Sequence, residues 1–145
     1  MRCTIDASVF VASARSDEPN YLMSRRFLCE VRSFEVYCPT LAIVECAAAI
    51  ARQTGDFHLA KEMVSLIECF PGINLVSLDL ALARKAAQIA LEHRPRGADA
   101  VYAMVADTYD AVLISWDQEM LNRCPAAVDT MTPAEWLEKA SKSAG

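Results

Sequence analysis

The sequence predicts an α/β fold, in which a mainly parallel sheet lies between helices in a single domain. Three observations support this prediction. Short strand-like segments alternate with amphipathic helical segments along the whole chain. One strand candidate is continuously apolar, AVLIS at 111–115, as strands covered on both faces are. The 145 residues, 54% of them hydrophobic, are enough for one sizeable core, and no repeat or linker interrupts them.

In the first part of the chain, each predicted strand gives way to helical periodicity. The mixed segment at 2–6 ends in an aspartate and is followed by a helix at 7–14. A second helix is expected within 19–32, where apolar residues recur at helical spacing. A strand at 34–39 is stopped by proline, and Thr40 resembles the N-cap of the next helix.

The rest of the chain continues the alternation after that helix. The predicted segments are, in order, a helix at 56–70, a strand at 73–78, helices at 78–94 and 98–109, a strand at 111–115, a short helix at 117–124, an edge strand at 128–131, a capped helix at 132–141 and a polar tail at 141–145. We therefore expect one domain over residues 1–140, followed by the tail at 141–145.

Charge and composition exclude several functional classes. The net charge of −5 argues against a protein that holds nucleic acid by bulk electrostatics, unless the acidic excess is concentrated where a divalent cation neutralises it. With only two histidines, a His-rich metal site or a Ser-His-Asp triad is hard to assemble. No apolar run approaches the ~20 residues that span a bilayer, and Asp6 interrupts the N-terminus too early for a signal peptide. We expect a cytoplasmic protein that does not use a membrane.

Four carboxylates are predicted to meet at one edge of the sheet. Asp6 ends the first strand, and Asp117 lies just past the end of AVLIS. Asp99 opens a helix, and Glu45 lies in the first half of the helix after the second strand. Because ligands of open α/β sheets bind outside the carboxyl ends of the strands, these side chains are candidates for a site there.

Each carboxylate also has an ordinary structural explanation. Asp6, Asp99 and Asp117 stand near predicted helix N-termini, where aspartate is a common cap or first-turn residue. Glu45 differs, because it lies within the apolar run LAIVECAAAI, and capping does not explain a glutamate inside a helix. Its alternative explanation is a salt bridge to an arginine, although no basic residue lies three or four positions away.

Three aspartates and one glutamate at a strand-end cleft are typical of a Mg²⁺ or Mn²⁺ site. These hard cations take oxygen ligands. Such an ion can activate a water molecule and stabilise charge on a phosphodiester during attack. Without an ion, the carboxylates would repel one another and raise one another's pKa.

The motifs around these carboxylates resemble a known family. They are TIDASVF at 4–10, IVEC at 43–46, GADA at 97–100 and ISWD at 114–117. In order and spacing they resemble the PIN domain, and within it the VapC-type ribonuclease toxins of toxin–antitoxin pairs. The resemblance runs from Met1 to about Pro133.

The resemblance implies a three-layer α/β/α sandwich and a Mg²⁺- or Mn²⁺-dependent endoribonuclease that leaves a 5′-phosphate and a 3′-hydroxyl. The implied catalytic and metal-binding residues are Asp6, Glu45, Asp99 and Asp117, with Asp6 and Asp99 the surest ligands. Ser8 and Ser115 match small hydroxyl positions of the motifs, and we expect them to hydrogen-bond to the carboxylates.

The resemblance also implies partners: an RNA substrate, a cognate antitoxin and a second copy in a homodimer. Candidate RNA contacts are Arg15, Arg25, Arg26, Arg94 and Arg96, each of which has solvated surface charge as its ordinary explanation. The segment VFVA at 9–12, together with YLMSRRFL at 21–28, could form an apolar groove for the antitoxin or could simply fill the core.

Two other functions fit the same motifs. One is a PIN nuclease of RNA processing or turnover outside any toxin pair. The other is a non-catalytic PIN module that binds RNA or protein, although such a module tends to lose acidic positions and all four are present here. A phosphate-accepting receiver domain is disfavoured, because it needs paired acids after the first strand and Asp6 is followed by Ala7 and Ser8.

Overall fold

The computed structural model describes all 145 residues and contains five strands and eight helices. The strands are β1 (Arg2–Ile5), β2 (Glu35–Pro39), β3 (Ile73–Val76), β4 (Val112–Ile114) and β5 (Thr130–Met131). The helices are α1 (Ala7–Ala14), α2 (Tyr21–Glu30), α3 (Leu41–Thr54), α4 (Phe57–Glu68), α5 (Leu80–His93), α6 (Gly97–Thr108), α7 (Gln118–Arg123) and α8 (Pro133–Ala144). A short 3₁₀ turn, Val31–Ser33, precedes β2.

The five strands form one parallel sheet in the order β3-β2-β1-β4-β5. The chain moves from β1 to β2 to β3 in one direction, and then returns past β1 to β4 and β5. Because crossovers between parallel strands are right-handed, this reversal places α1–α4 on one face of the sheet and α5–α7 on the other. The predicted three-layer α/β/α sandwich is confirmed.

Every strand and helix predicted from the sequence is present, with two local differences. Thr40 precedes α3, but its backbone is helical and its side chain makes no capping hydrogen bond. Helix α8 continues to Ala144, so most of the segment predicted as a polar tail is helical. The start of α8 behaves as predicted, because Thr132 and Glu135 form a reciprocal capping box.

One hydrophobic core of 36 buried residues extends from Cys3 to Leu137. Helix α6 is buried continuously from Asp99 to Ala106, because it packs against the sheet on one side and α5 on the other. The VFVA segment at 9–12 also lies in this core, with each residue at most 8% exposed. It packs in the core, although Val11 and Ala12 also line a cavity, and the groove it could form with residues 21–28 stays a prediction. No helix is long and apolar enough to cross a membrane.

Candidate active site

The site lies where the order of the strands reverses. Strand β1 connects onward to β2 on one side and pairs with β4 on the other, so a crevice opens at the carboxyl ends of β1 and β4. Asp6 directly follows β1, and Asp117 follows β4 after two residues. Glu45 of α3 and Asp99 of α6 complete the set. All four sequence-predicted carboxylates line one cavity of about 470 Å³.

Asp6 is held by hydroxyl groups and has no cation beside it. It occupies the N-cap position of α1 without making a capping bond, and it is 6% exposed. Its Oδ2 atom accepts a hydrogen bond of 2.8 Å from the Ser115 hydroxyl. Burial raises the pKa of Asp6, while the hydroxyl groups of Ser8 and Ser115 oppose the rise and the charge of Asp99 adds to it.

Two serines connect the ends of β1 and β4. Ser115 is fully buried; besides donating to Asp6, its Oγ accepts the backbone N–H of Asp117 at 2.9 Å. Ser8 Oγ lies 3.3 Å from Ser115 Oγ and accepts the backbone N–H of Trp116 at 3.0 Å. The Ser8 hydroxyl also lies beside the Asp6 carboxylate and lowers its pKa. Both predicted serines therefore act on the Asp6 carboxylate, Ser115 through a bond of 2.8 Å.

Glu45 has no ion pair, so the salt bridge considered from the sequence does not form. Its Oε1 atom is buried and accepts no hydrogen bond. A neighbouring polar group is the Tyr102 hydroxyl, which is also buried and without a hydrogen-bond partner. Burial raises the pKa of Glu45; Tyr102 opposes the rise, and the charges of Asp6 and Asp99 add to it. A buried carboxylate oxygen without a hydrogen bond is costly, so Glu45 is the member of the group with the least compensated charge.

Asp99 and Asp117 share a single arginine. Arg96 donates from Nε to Asp99 Oδ2 at 2.9 Å and from Nη2 to Asp117 Oδ2 at 2.6 Å, and Glu119 lies 3.5 Å from its Nε. Burial raises the pKa of Asp99 even though Arg96 opposes it. Burial also acts on Asp117, but Arg96 and the amides of Met120 and Glu119 outweigh it and leave the Asp117 pKa below its usual value. These amides are those of α7, which Asp117 caps.

Comparison with known proteins identifies the family. The sequence model of the PIN domain matches residues 3–124, most of the chain. The chain belongs to the PIN domain family. The match includes all four carboxylates predicted from the sequence and both serines. No curated protein sequence matches the chain.

Solved structures share the fold of this PIN domain. VapC20 from Mycobacterium tuberculosis, described as a sarcin–ricin loop cleaving toxin, is 15% identical with a TM-score of 0.71, over 83% of this chain and 93% of that one. PAE2754 from Pyrobaculum aerophilum is 17% identical with a TM-score of 0.70, over 98% and 96%. VapBC2 from Rickettsia felis, solved bound to a DNA fragment from its promoter, is 10% identical with a TM-score of 0.67, over 91% and 98%.

Of the five arginines proposed as RNA contacts, the PIN domain places only Arg96 in the lining of the cavity. Arg15 bonds to Gln53 and Asp17, while Arg26 pairs with Glu30 within α2. Sequence reasoning named Arg96 without its carboxylate partners. Its position three residues before Asp99 was the available signal, because residues three apart at a helix start are neighbours. Tyr102, beside Glu45, was missed because its apolar flanks indicate an ordinary core residue.

The donor set of the PIN domain suits a hard cation in its chemistry. All of the candidate donors are carboxylate oxygens, and Glu45 Oε1 has no hydrogen-bond partner in the protein. No group of three or more carboxylate, histidine or cysteine side chains is arranged to hold an ion in this conformation. Arg96 bonds to both Asp99 and Asp117, so its guanidinium supplies the positive charge at these two carboxylates.

Proposed function

We propose that this PIN domain is a Mg²⁺- or Mn²⁺-dependent endoribonuclease and the toxin of a type II toxin–antitoxin pair. One observation carries the proposal: four carboxylates from separate segments line a single cavity at the strand-order reversal of a PIN fold. The residues that would hold the ion and carry the catalysis are Asp6, Glu45, Asp99 and Asp117. The bound ion would supply an activated water and charge stabilisation on the phosphodiester.

The surrounding residues have distinct proposed tasks. Ser115 fixes the orientation of Asp6 through the bond at Oδ2 and positions the start of α7 through the Asp117 amide. The buried helix α6 holds Asp99 rigidly against the sheet. Glu45 lines the cavity and forms no ion pair, so its carboxylate would accept a proton from a water bound there. The resulting hydroxide would attack the phosphorus and the bond from phosphorus to the 3′-oxygen would break. The leaving 3′-oxygen would take a proton from solvent or from the protonated Glu45, giving a 5′-phosphate and a 3′-hydroxyl.

The proposed partners are RNA, an antitoxin protein and a second copy of the chain. The antitoxin is supported by the VapBC complexes among the structures with this fold, such as the DNA-bound complex from Salmonella typhimurium (13% identical, TM-score 0.62, over 92% of this chain and 98% of that one). A surface for such contacts is available on α2, where Leu22 is 77% exposed. A chain with a net charge of −5 would hold RNA through ion–phosphate contacts and local arginines rather than through a general basic field.

The test is cleavage of a defined set of tRNA and rRNA by the purified protein, with and without Mn²⁺, with the cut ends mapped. We expect EDTA to abolish cleavage and Asp99→Asn to reduce it at least about a hundredfold, since even outer partners of metal ligands are typically worth 10–100-fold. The matched control is Asp107→Asn, on the same helix but paired with Lys85 at the surface, and it should cleave normally.

Full activity of Asp99→Asn, or full activity in EDTA, would contradict the metal-dependent mechanism. The toxin assignment has its own test. Growth arrest on expression, relieved by a small open reading frame encoded beside the gene, supports it. Harmless overexpression of an enzyme that cleaves RNA in vitro would instead indicate a nuclease of RNA turnover.

A further inference from the structure

Arg96 is the only basic residue among the side chains that line the cavity. The acidic residues lining it are Asp6, Glu18, Glu45, Asp99 and Asp117. Glu18 pairs with Arg15 outside the cavity at 3.7 Å. One guanidinium is therefore the only positive charge in the cavity lining near the remaining four carboxylates, and it bonds to two of them, Asp99 and Asp117.

The contacts of Arg96 occupy the atoms that an ion would need. Its Nε and Nη2 groups each donate to an Oδ2 atom, one of Asp99 and one of Asp117, at 2.9 and 2.6 Å. A divalent ion binds to carboxylates through the same oxygen lone pairs and carries the same sign of charge as the guanidinium. Arg96 and the ion therefore compete for these oxygens. Both need the same lone pairs, and their positive charges repel each other.

The side chain of Arg96 is exposed enough to move away from the Asp99 and Asp117 carboxylates. Arg96 lies just before α6 with an extended backbone, and its side chain is 51% exposed, whereas the side chain of Asp99 is 6% exposed. The aspartate is thus fixed by the helix and the core, while the arginine reaches it from the solvent side on a long, flexible stem. Rotation about its side-chain bonds would release both carboxylates without moving α6.

We propose that Arg96 is the resident cation of the ion-free site, and that Arg96 and a divalent ion exclude each other at Asp99 and Asp117. The inference rests on the proposed metal-dependent function and adds to it a built-in competitor. Arg96 holds the two carboxylates together and prevents their repulsion while no ion is bound. It also sets the ion concentration at which the site fills, since the ion must displace it.

The experiment is calorimetric titration of Mn²⁺ into the metal-free full-length protein. The variants are Arg96→Gln, Arg96→Lys and, as a matched control, Arg2→Gln, which breaks an exposed arginine–glutamate pair of 2.7 Å at the opposite end of β1. Arg96→Gln should bind Mn²⁺ about tenfold tighter than wild type, the order expected from freeing two charge-assisted hydrogen bonds. Arg96→Lys keeps the charge but loses the bidentate geometry, so its Mn²⁺ affinity should lie between those of wild type and Arg96→Gln. The affinity of Arg2→Gln should match that of wild type.

Thermal unfolding of the same proteins supplies a second readout that does not depend on activity. In EDTA, Arg96→Gln should unfold at a lower temperature than wild type, because Asp99 and Asp117 lose their shared cation. At saturating Mn²⁺ the two unfolding temperatures should converge, because the ion-bound state of both proteins lacks the Arg96 contacts. A structural ion pair with no relation to metal would lower the unfolding temperature equally in both buffers.

The outcomes separate this inference from the proposed function. Equal Mn²⁺ affinity of wild type and Arg96→Gln would overturn the exchange while leaving metal dependence in place. Tighter binding by Arg96→Gln, with Arg96→Lys equal to wild type, would indicate a general charge effect and would also overturn it. Absence of Mn²⁺ binding in every variant would contradict the proposed function itself.

Discussion

The cavity contains two pairs of carboxylates that differ in how their charge is compensated. The cation-free pair consists of Asp6 and Glu45. Asp6 accepts a hydrogen bond from a serine hydroxyl group, and Glu45 has an oxygen without a hydrogen-bond partner. The arginine-bound pair, Asp99 and Asp117, shares Arg96. Burial raises the pKa of both members of the first pair and also that of Asp99. Only the Asp117 pKa is lowered, because Arg96 and the α7 amides outweigh the desolvation of this partly exposed side chain.

The comparison shows that a guanidinium contact does not by itself decide the direction in which the pKa of an aspartate moves. Asp99 and Asp117 have the same cation at similar distances, yet their pKa values move in opposite directions. The side chain of Asp99 is 6% exposed and that of Asp117 is 31% exposed. Desolvation therefore outweighs pairing for the first, while pairing and the α7 amides outweigh desolvation for the second.

The largest change in stability is expected from Ser115→Ala, because Ser115 connects the two pairs. Its hydroxyl donates to Asp6 and accepts the backbone N–H of Asp117, and both groups would lose a buried partner. The free energy of unfolding should fall by about 1–3 kcal/mol, the cost of leaving a buried polar group unpaired. Urea unfolding monitored by circular dichroism measures it.

Ser13→Ala is the matched control. Ser13 is also buried, but its hydroxyl bonds only to the Phe10 carbonyl within α1. This substitution should cost less than about 1 kcal/mol, since such bonds within a helix contribute little. If Ser115→Ala lowers the free energy of unfolding no more than Ser13→Ala does, Ser115 does not stabilise the protein by connecting the two pairs.

Glu45→Gln should stabilise the protein in metal-free buffer while reducing RNA cleavage. Because the folded-state pKa of Glu45 is raised, its contribution to stability is present below the ordinary glutamate pKa and is lost as the pH rises through the folded-state pKa. At neutral pH, removing the charge should raise the unfolding temperature by about 2–4 °C, the shift that ~1 kcal/mol gives in a chain of this size.

The gain from Glu45→Gln should vanish in acid, where wild-type Glu45 is itself neutral. Calorimetric scans at neutral and acidic pH measure both values, and Glu62→Gln, at an exposed position of α4, is the control. A variant that unfolds more easily at neutral pH would show that the Glu45 charge is needed for folding, contrary to the cation-free description.

Asp117→Asn should have the smallest effect and the opposite sign. Asparagine caps helices about as well as aspartate, so the substitution mainly removes the charged contact with Arg96. Asp117 has a lowered pKa, so its contribution to stability is present above the ordinary aspartate pKa and lost as the pH falls through the folded-state value. We expect a loss of about 0.5–1 kcal/mol at neutral pH, in the range of partly exposed ion pairs.

The same unfolding measurements in strong acid complete this test. There the wild type and Asp117→Asn should become equally stable, because wild-type Asp117 is then protonated. A loss that persists unchanged in strong acid would mean that the substitution acts through packing or the α7 cap rather than through charge, and the distinction between the two pairs would not hold at Asp117.

The sequence alone determined the elements and the set of candidate residues. Each strand and helix is encoded by the periodicity and end signals of its own residues, such as the Thr132–Glu135 capping box, so local reasoning could find all of them. The alternation of strands and helices then implied a parallel sheet. Because the carboxyl ends of parallel strands lie at one edge, the sequence pattern by itself predicts that Asp6 and Asp117 lie at the same edge of the sheet.

Only the tertiary structure decided what each carboxylate contacts. Three aspartates stand at helix starts in the same local pattern, yet Asp117 caps its helix, Asp6 does not and Asp99 bonds to an arginine. The deciding partners are distant in sequence: Ser115 lies 109 residues from Asp6, and Arg96 lies 21 residues from Asp117. Such contacts depend on strand order and helix packing, which fix where separate segments meet, whereas the local pattern fixes only what each segment is.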